Sequence, residues 1–179
     1  AVGGQAICFS NFFLYPAKVI LILHNIRSVH NVGSCFRTAD AAGVERIILS
    51  GYTPTPLDRF GQERKDFAKV SLGAQLSVPW TYVKTLSPTL TKLKKEKYFL
   101  VAIEQDERST PLFEFIPPSS SDTSPLPVAV ILGNEVRGVS KPLLKKCDAI
   151  LEIPMNGKKE SLNVSVTAGI ALFTLLHNK

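Results

Sequence analysis

Three separated stretches of this sequence carry the residue types that could bind a ligand or assist a group transfer. The first lies at residues 31–41, where the Asn31 side chain can cap a helix and Arg37 carries a permanent positive charge. Gly33 and Ala41 lie one turn either side of Arg37 and leave its guanidinium room for a phosphate or a partner subunit. An ordinary solvated surface arginine is the alternative at this position.

The second stretch is Leu132, Gly133, Asn134 and Glu135, directly after a predicted buried strand at 128–132. In open α/β sheets, ligands bind beyond the carboxyl ends of the strands. The glycines on both sides of Glu135 permit close approach of the backbone to a ligand. A plain strand-to-helix turn is the alternative.

The third stretch follows another predicted strand and contains Ile153, Met155, Ser161, Leu162 and Asn163. We predict that Ser161 caps the last helix, with Asn163 in its first turn, where free backbone N–H groups favour anions. Ser161 is disfavoured as a hydrolytic nucleophile because the three histidines show no pairing that a catalytic triad needs. A purely structural cap is the alternative.

A basic and aromatic segment at 52–80 could contact nucleic acid, since aromatic rings stack on bases and cations bind phosphates. Acidic residues within the segment reduce its local charge. Its cationic and aromatic members are Arg59, Phe60, Arg64, Lys65, Phe67, Lys69 and Trp80.

The composition excludes several classes of protein. A hydrophobic content of 45% with 20% charged residues argues against disorder, and no apolar run is long enough to span a membrane. Three cysteines without a Cys-x-x-Cys pair give no zinc framework, no metal site and no disulfide scaffold, which favours the reducing cytoplasm. Neither common glycine-rich phosphate-binding motif is present. The net charge of +6 makes an anionic partner plausible.

Short apolar runs alternate with helical segments, which predicts an α/β fold with a mostly parallel sheet and helices on both faces. We predict strands at 18–24, 45–50, 77–83, 98–103, 128–132 and 149–153. We predict helices at 31–43, 87–97, where Ser87 would be the cap, and 161–177. Residues 1–17 are interpreted as an N-terminal extension and residues 18–179 as a single domain.

In this order and spacing the three stretches resemble the SpoU/TrmH family of RNA 2′-O-ribose methyltransferases, within the SPOUT superfamily. The resemblance covers about residues 18–178. It rests on Asn31-Val32-Gly33 with Arg37-Thr38-Ala39, on Leu132-Gly133-Asn134-Glu135 with Gly138-Val139-Ser140, and on Ile153-Pro154-Met155, Gly157 and Ser161-Leu162-Asn163-Val164-Ser165-Val166.

The resemblance implies a deep trefoil knot in the C-terminal part of the sheet, bound S-adenosylmethionine, and a homodimer with composite active sites. The cofactor positions that it implies are Ile103, Leu132, Gly133, Ile153, Met155 and Leu162. Arg37 matches the family's catalytic arginine, and the other active-site positions that match are Asn31, Glu135, Ser161 and Asn163.

The implied activity is S-adenosylmethionine-dependent methyl transfer to a ribose 2′-hydroxyl of structured RNA, with transfer RNA favoured over ribosomal RNA. The implied partners are an RNA substrate and a second copy of the chain, without membrane or metal. Two alternatives stay open. One is a catalytically inactive RNA-binding protein of the same fold, and the other is a structural or nucleotide-binding α/β protein unrelated to RNA.

Overall fold

The computed structural model describes residues 18–119 and 125–177, and in them seven parallel strands form one sheet. The strand order across the sheet is β3-β2-β1-β6-β4-β7-β5, and every pair of neighbours is parallel. The predicted extension at 1–17 lies outside the described residues. The strands are β1 (Val19–His24), β2 (Arg46–Ser50), β3 (Trp80–Val83), β4 (Phe99–Ile103), β5 (Thr110–Pro111), β6 (Val128–Leu132) and β7 (Ala149–Glu152).

The middle of the sheet is buried on both faces because its strands are apolar at every position. In β1, Leu21 lies between Ile47 of β2 and Val130 of β6. Alternate residues of each strand point to opposite faces, so the strand residues divide between two cores. This confirms that the continuous apolar runs belong to parallel strands covered on both sides.

Helices cover both faces of the sheet, as predicted. One face packs against α1 (Val29–Ala42), α2 (Lys65–Ser71), α3 (Ala74–Ser77) and α6 (Val164–His177). The opposite face packs against α4 (Leu86–Lys95) and α5 (Lys141–Leu144). On α1 the residues Val32, Phe36 and Ala39 are buried and Arg37 is exposed, so the predicted faces of this helix are correct.

Three predicted helix starts are wrong, each by a few residues. Helix α1 is capped by Ser28, whose hydroxyl accepts a hydrogen bond from Asn31 N at 3.2 Å, so Asn31 lies inside the helix. Helix α4 begins at Leu86 after Thr85, one residue before the predicted cap. Helix α6 begins at Val164, so Ser161 lies three residues before it. The side chain at the helix start is that of Asn163, whose Oδ1 accepts from Ser165 N. Polar residues that could cap stand near each start, so the local sequence does not determine which one is used.

Sequence patterns also missed short elements. The segment at 52–80 contains α2 and α3, and the predicted strand at 77–83 shortens to Trp80–Val83. Phe67 of α2 is fully buried and meets the Phe36 ring edge-on, with 5.2 Å between centroids, so it is a core residue and not free to stack on a base. Elements of two to seven residues, β5 among them, owe their stability to packing instead of local propensity.

The sheet brings the predicted stretches together at one edge. Strands β1, β6, β4 and β7 are adjacent and parallel, so the turns that follow them lie side by side at their carboxyl ends. Among the described residues no helix is both long and apolar enough to cross a membrane, and no group of side chains could hold a metal ion.

Candidate functional site

A cavity of about 310 Å³ opens where β4, β6 and β7 end, and we refer to it as the acidic cavity. Its walls come from the turns after the three strands and from the segment that leads into α6. The structure brings together in this one cavity all six residues that the family resemblance assigned to the cofactor. They are Ile103, Leu132, Gly133, Ile153, Met155 and Leu162.

The charge in the lining of this cavity is one-sided. Four glutamates contribute to the walls, Glu104, Glu135, Glu152 and Glu160, and no lysine or arginine does. The remaining walls are largely apolar. Such a lining favours a ligand that combines an apolar body with positive charge.

The turn after β6 is tight enough that only glycine fits at two positions. A Cβ at Gly133 would overlap the backbone of Gly138 and Val139, and Gly138 itself has a φ of 62°, which favours glycine. The Glu104 carboxylate accepts a hydrogen bond from Val139 N at 2.7 Å. The Glu104 backbone N donates to Leu151 O at 2.9 Å, so this one residue connects the ends of all three strands.

Glu135 connects the second stretch to the first. Its carboxylate accepts from Arg27 N at 3.1 Å, from Ser28 N at 3.3 Å and from Asn31 Nδ2 at 3.3 Å. Partial burial raises the pKa of Glu135, but the backbone and side-chain hydrogen bonds outweigh it and hold the pKa below its ordinary value. Glu135 is therefore ionised at neutral pH and acts as an anchor for the loop before α1.

Asn31 connects the first stretch to the third. Its Oδ1 accepts a hydrogen bond from Asn163 Nδ2 at 3.1 Å. Asn163 Oδ1 in turn accepts from Ser165 N at 2.8 Å, which fixes the start of α6. Glu135, Asn31 and Asn163 therefore form a continuous chain of hydrogen bonds beside the acidic cavity.

The remaining two predicted active-site residues differ in placement. Ser161 is exposed and lines the acidic cavity. Arg37 is exposed on α1 and lines neither this cavity nor the neighbouring one described below, so the described part of a single chain does not bring it to the site.

Sequence reasoning missed a second set of residues around Asn134. The Asn134 Nδ2 donates to Asn25 O at 3.0 Å and to the Tyr52 hydroxyl oxygen at 2.9 Å. Asn25 has a φ of 58°, and its Oδ1 accepts from Tyr52 N at 3.3 Å. The sequence signal is that Asn25 and Asn134 each follow shortly after a predicted strand. That these two strands, β1 and β6, are neighbours is known only from the structure.

Comparison with known sequences places the chain in one family. A family model described as the SpoU rRNA methylase family matches residues 18–173. A protein of Archaeoglobus fulgidus named "Uncharacterized tRNA/rRNA methyltransferase" is 36% identical over 166 residues, which is 93% of this chain and 67% of that protein. The 23S rRNA (guanosine-2′-O-)-methyltransferase RlmB of Escherichia coli is 36% identical over 160 residues, covering 89% of this chain and 60% of the relative. The chain thus spans about two thirds or less of the length of these curated relatives.

Solved structures agree with the sequence relatives. An AdoMet-bound rRNA methyltransferase from Sinorhizobium meliloti superposes with a TM-score of 0.78 at 26% identity, over 89% of this chain and 56% of that one. The TrmH/SpoU tRNA modifying enzyme of A. aeolicus gives 0.72 at 25% identity, over 91% of this chain and 77% of that one. Sequence match, shared fold and a strand-end cavity lined by residues of the second and third motifs lead to one conclusion: the chain belongs to the SpoU rRNA methylase family.

Proposed function

We propose that this chain transfers a methyl group from S-adenosylmethionine to the 2′-hydroxyl of a ribose in RNA. The observation that carries the proposal is the acidic cavity, where three strand ends meet beside the hydrogen-bonded chain of Glu135, Asn31 and Asn163. Family membership supports the same activity, since the relatives are named as RNA methyltransferases.

The residues present fit this cofactor. S-adenosylmethionine combines an adenosine body with two positive charges, on the sulfonium and the ammonium group, against one carboxylate. The cavity offers apolar walls such as Leu132, Ile153 and Leu162, together with four glutamates and no cation. Gly133 leaves the backbone bare where a side chain would project into the turn. We assign the cofactor to Ile103, Leu132, Gly133, Ile153, Met155 and Leu162.

When bound, S-adenosylmethionine supplies a methyl group that is already activated by the positive sulfur. The protein must then align a ribose hydroxyl and assist its deprotonation. Glu135 is a poor base because its pKa is lowered and its oxygens already accept N–H groups. We assign Asn31, Ser161 and Asn163 to positioning the ribose, with Glu135 as the anchor that holds Asn31.

Arg37 is assigned to holding a substrate phosphate and stabilising negative charge on the 2′-oxygen, because a guanidinium does not readily give up its proton. Since Arg37 is exposed on α1, away from the cavity of its own chain, the assignment requires a homodimer in which a second copy supplies this residue. Exposed apolar side chains of Leu162 and Val166, 40% and 49% accessible, support a partner near the start of α6. Mixing Arg37→Ala chains with Gly133→Ala chains should restore activity if sites are composite, because one site of the mixed dimer then has both an intact acidic cavity and Arg37.

The proposal includes a knot in the C-terminal part of the chain. Strand β7 lies between β4 and β5, so the connection at 104–109 must cross from one side of β7 to the other. The Gln105 side chain donates to Glu160 O at 2.8 Å, which keeps this connection against the chain that leaves β7. Both features support a chain that passes through a loop made by its own earlier residues.

We propose ribosomal RNA as the substrate and the cytoplasm as the location of the protein. The preference for transfer RNA that the sequence suggested is not supported, because several relatives at 34–36% identity are named 23S rRNA (guanosine-2′-O-)-methyltransferases. The curated Archaeoglobus relative carries both RNA classes in its name, so the test includes both.

The test is methyl transfer from isotope-labelled S-adenosylmethionine to unmodified transcripts of the source organism's ribosomal and transfer RNA. Mass spectrometry of nuclease digests then locates the label. We expect a 2′-O-methylated ribose at a defined nucleotide of ribosomal RNA. Label in a base, or no label in either RNA while the protein binds the transcript, would refute the proposal, and the second result would favour the inactive RNA-binding alternative.

A further inference from the structure

We propose that a second cavity, which we call the cationic cavity, binds a nucleotide of the RNA that neighbours the methylated ribose. This inference rests on the proposed function, because it assigns a substrate subsite to the same reaction. It adds a site for a base and a further phosphate to a chain whose other assigned residues serve the cofactor, the target ribose and the phosphate held by Arg37.

The cationic cavity adjoins the acidic one directly. It has a volume of about 650 Å³, and Asn134 and Val136 contribute to the walls of both cavities. A ligand in the cationic cavity would therefore be separated from a ligand in the acidic cavity by the turn after β6. Its other principal lining residues are Arg27, Tyr52, Arg64 and Arg137.

Three guanidinium groups and no carboxylate line this cavity. Within residues 18–119 and 125–177, neither Arg27 nor Arg137 forms an ion pair, whereas Arg64 contacts Asp66 at 2.9 Å. The charges of Arg27 and Arg137 have no ion-pair partner among the described residues, so an anion is the natural occupant beside them. Guanidinium groups suit phosphate in particular because they donate in a planar fork.

The backbone that carries two of these arginines is held firmly. Arg27 N donates to the Glu135 carboxylate at 3.1 Å. Arg137 N donates to Asn134 Oδ1 at 2.8 Å, and Val136 N donates to the same oxygen at 3.0 Å. The two guanidinium groups therefore extend from fixed points, which reduces the entropy lost when a phosphate binds.

Tyr52 adds a surface for a base. Its hydroxyl oxygen accepts from Asn134 Nδ2 at 2.9 Å and its backbone N donates to Asn25 Oδ1 at 3.3 Å, so the residue is held at both ends. The residue is nevertheless 58% exposed. An exposed aromatic side chain beside arginines is the combination by which proteins bind single-stranded RNA, one stacking and the other neutralising phosphate.

The test measures the affinity for an unmodified in vitro transcript of large-subunit ribosomal RNA over a series of KCl concentrations. The double variant Arg27→Gln, Arg137→Gln should lower the slope of log affinity against log salt by about 1.4 to 1.8, the value for two lost phosphate contacts. Tyr52→Leu should weaken binding by about 5- to 150-fold, and Tyr52→Phe should retain most of the affinity because its ring can still stack.

The matched control is Lys92→Gln on α4, which removes one positive charge from a side chain that is 76% exposed on a helix covering the opposite face of the sheet. It should keep the wild-type slope, and all variants should bind S-adenosylmethionine as the wild type does. A double variant and a Tyr52→Leu variant that both bind the transcript like Lys92→Gln would overturn the subsite while methyl transfer by the wild type still stands. A wild type that transfers no methyl group would instead remove the proposed function, and the subsite with it.

Discussion

The two cavities beside Asn134 share part of their walls and differ completely in charge. The acidic cavity has four glutamates in its lining and no cation, and the cationic cavity has three arginines and no carboxylate. The former lies at the ends of β4, β6 and β7, and the latter takes residues from the loops after β1 and β2 as well. Only the turn after β6 serves both.

The difference shows that one short turn separates a cavity lined by glutamates from a cavity lined by arginines, as the proposed separation of a cationic donor from an anionic acceptor requires. Asn134 donates to Asn25 and Tyr52 on the cationic side, and Gly133, its neighbour, lines the acidic side. Under the proposed assignments, the opposite charges of the two cavities would disfavour the cofactor in the cationic cavity and an RNA phosphate in the acidic cavity. If this interpretation is correct, variants on the two sides should separate cofactor binding from RNA binding.

The largest effect is expected from Arg37→Ala, which tests whether the two cavities suffice for methyl transfer without this residue. Arg37 lies outside both, so its loss should leave S-adenosylmethionine affinity unchanged. Removing a group that stabilises charge at the reacting oxygen should lower the rate by about 100- to 1000-fold. Single-turnover transfer from labelled cofactor measures the rate, with Lys95→Ala on α4 as a control. Undiminished transfer would remove Arg37 from the mechanism.

Gly133→Ala should destroy the acidic cavity selectively. The new Cβ would overlap the backbone at Gly138, which cannot move aside without opening the turn. We expect a loss of about 1–3 kcal/mol in the free energy of unfolding and no measurable heat on titration with S-adenosylmethionine. Gly157→Ala is the matched control, because nothing lies within 4 Å of its added Cβ, and its melting temperature should match the wild type. Equal melting of both variants would contradict the tight turn.

Glu135→Gln should weaken the connection between the turn after β6 and the loop before α1. The amide keeps one acceptor oxygen where the carboxylate offered two to Arg27, Ser28 and Asn31. Because Glu135 is largely exposed, we expect a modest loss of about 1 kcal/mol in the free energy of unfolding. Chemical denaturation measures it, with Glu114→Gln as an exposed control.

The pH dependence of this loss follows from the pKa of Glu135. Since the folded protein holds that pKa below its ordinary value, the stabilisation is complete above about pH 4.5 and disappears as the pH falls further. The difference between wild type and Glu135→Gln should therefore stay constant from about pH 5 to about pH 8. A difference that changes across neutral pH would contradict the assignment.

The smallest effect concerns His24, the last residue of β1. Burial lowers its pKa, and its Nε2 accepts from Asn25 Nδ2 at 3.0 Å while its Nδ1 lies 2.8 Å from the Ser50 hydroxyl. The unfolded chain then binds a proton at a higher pH than the folded chain, so stability falls as the pH drops through about 6.5. His24→Gln should reduce the fall in melting temperature between about pH 7.5 and about pH 5.5. The control is His30→Gln, at an exposed position of α1.

The sequence was sufficient for six of the seven strands of the described residues and for part of the lining of the acidic cavity. Continuous apolar runs identify buried parallel strands, and the residues after Ile103, Leu132 and Leu151 must meet at one edge once those strands are neighbours. Ile103, Gly133 and Leu162 were assigned through the family motifs, and the structure places them in one cavity.

The rest depended on contacts that no local pattern records. Asn31 and Ser161 look like helix caps, but Ser28 and Asn163 occupy those positions because the hydrogen bonds to Glu135 and Asn31 fix the chain there. The cationic cavity draws Arg27, Arg64 and Arg137 from three distant segments. Each arginine alone is an ordinary surface residue, and only the strand order β2-β1-β6 brings them together.

A crystal structure of the chain grown with S-adenosylmethionine tests the central claim most directly. We predict electron density for the cofactor in the acidic cavity, against the backbone of Gly133 and Leu162, with the cationic cavity left free for RNA. Density for the cofactor among Arg27, Tyr52 and Arg137 would contradict the account.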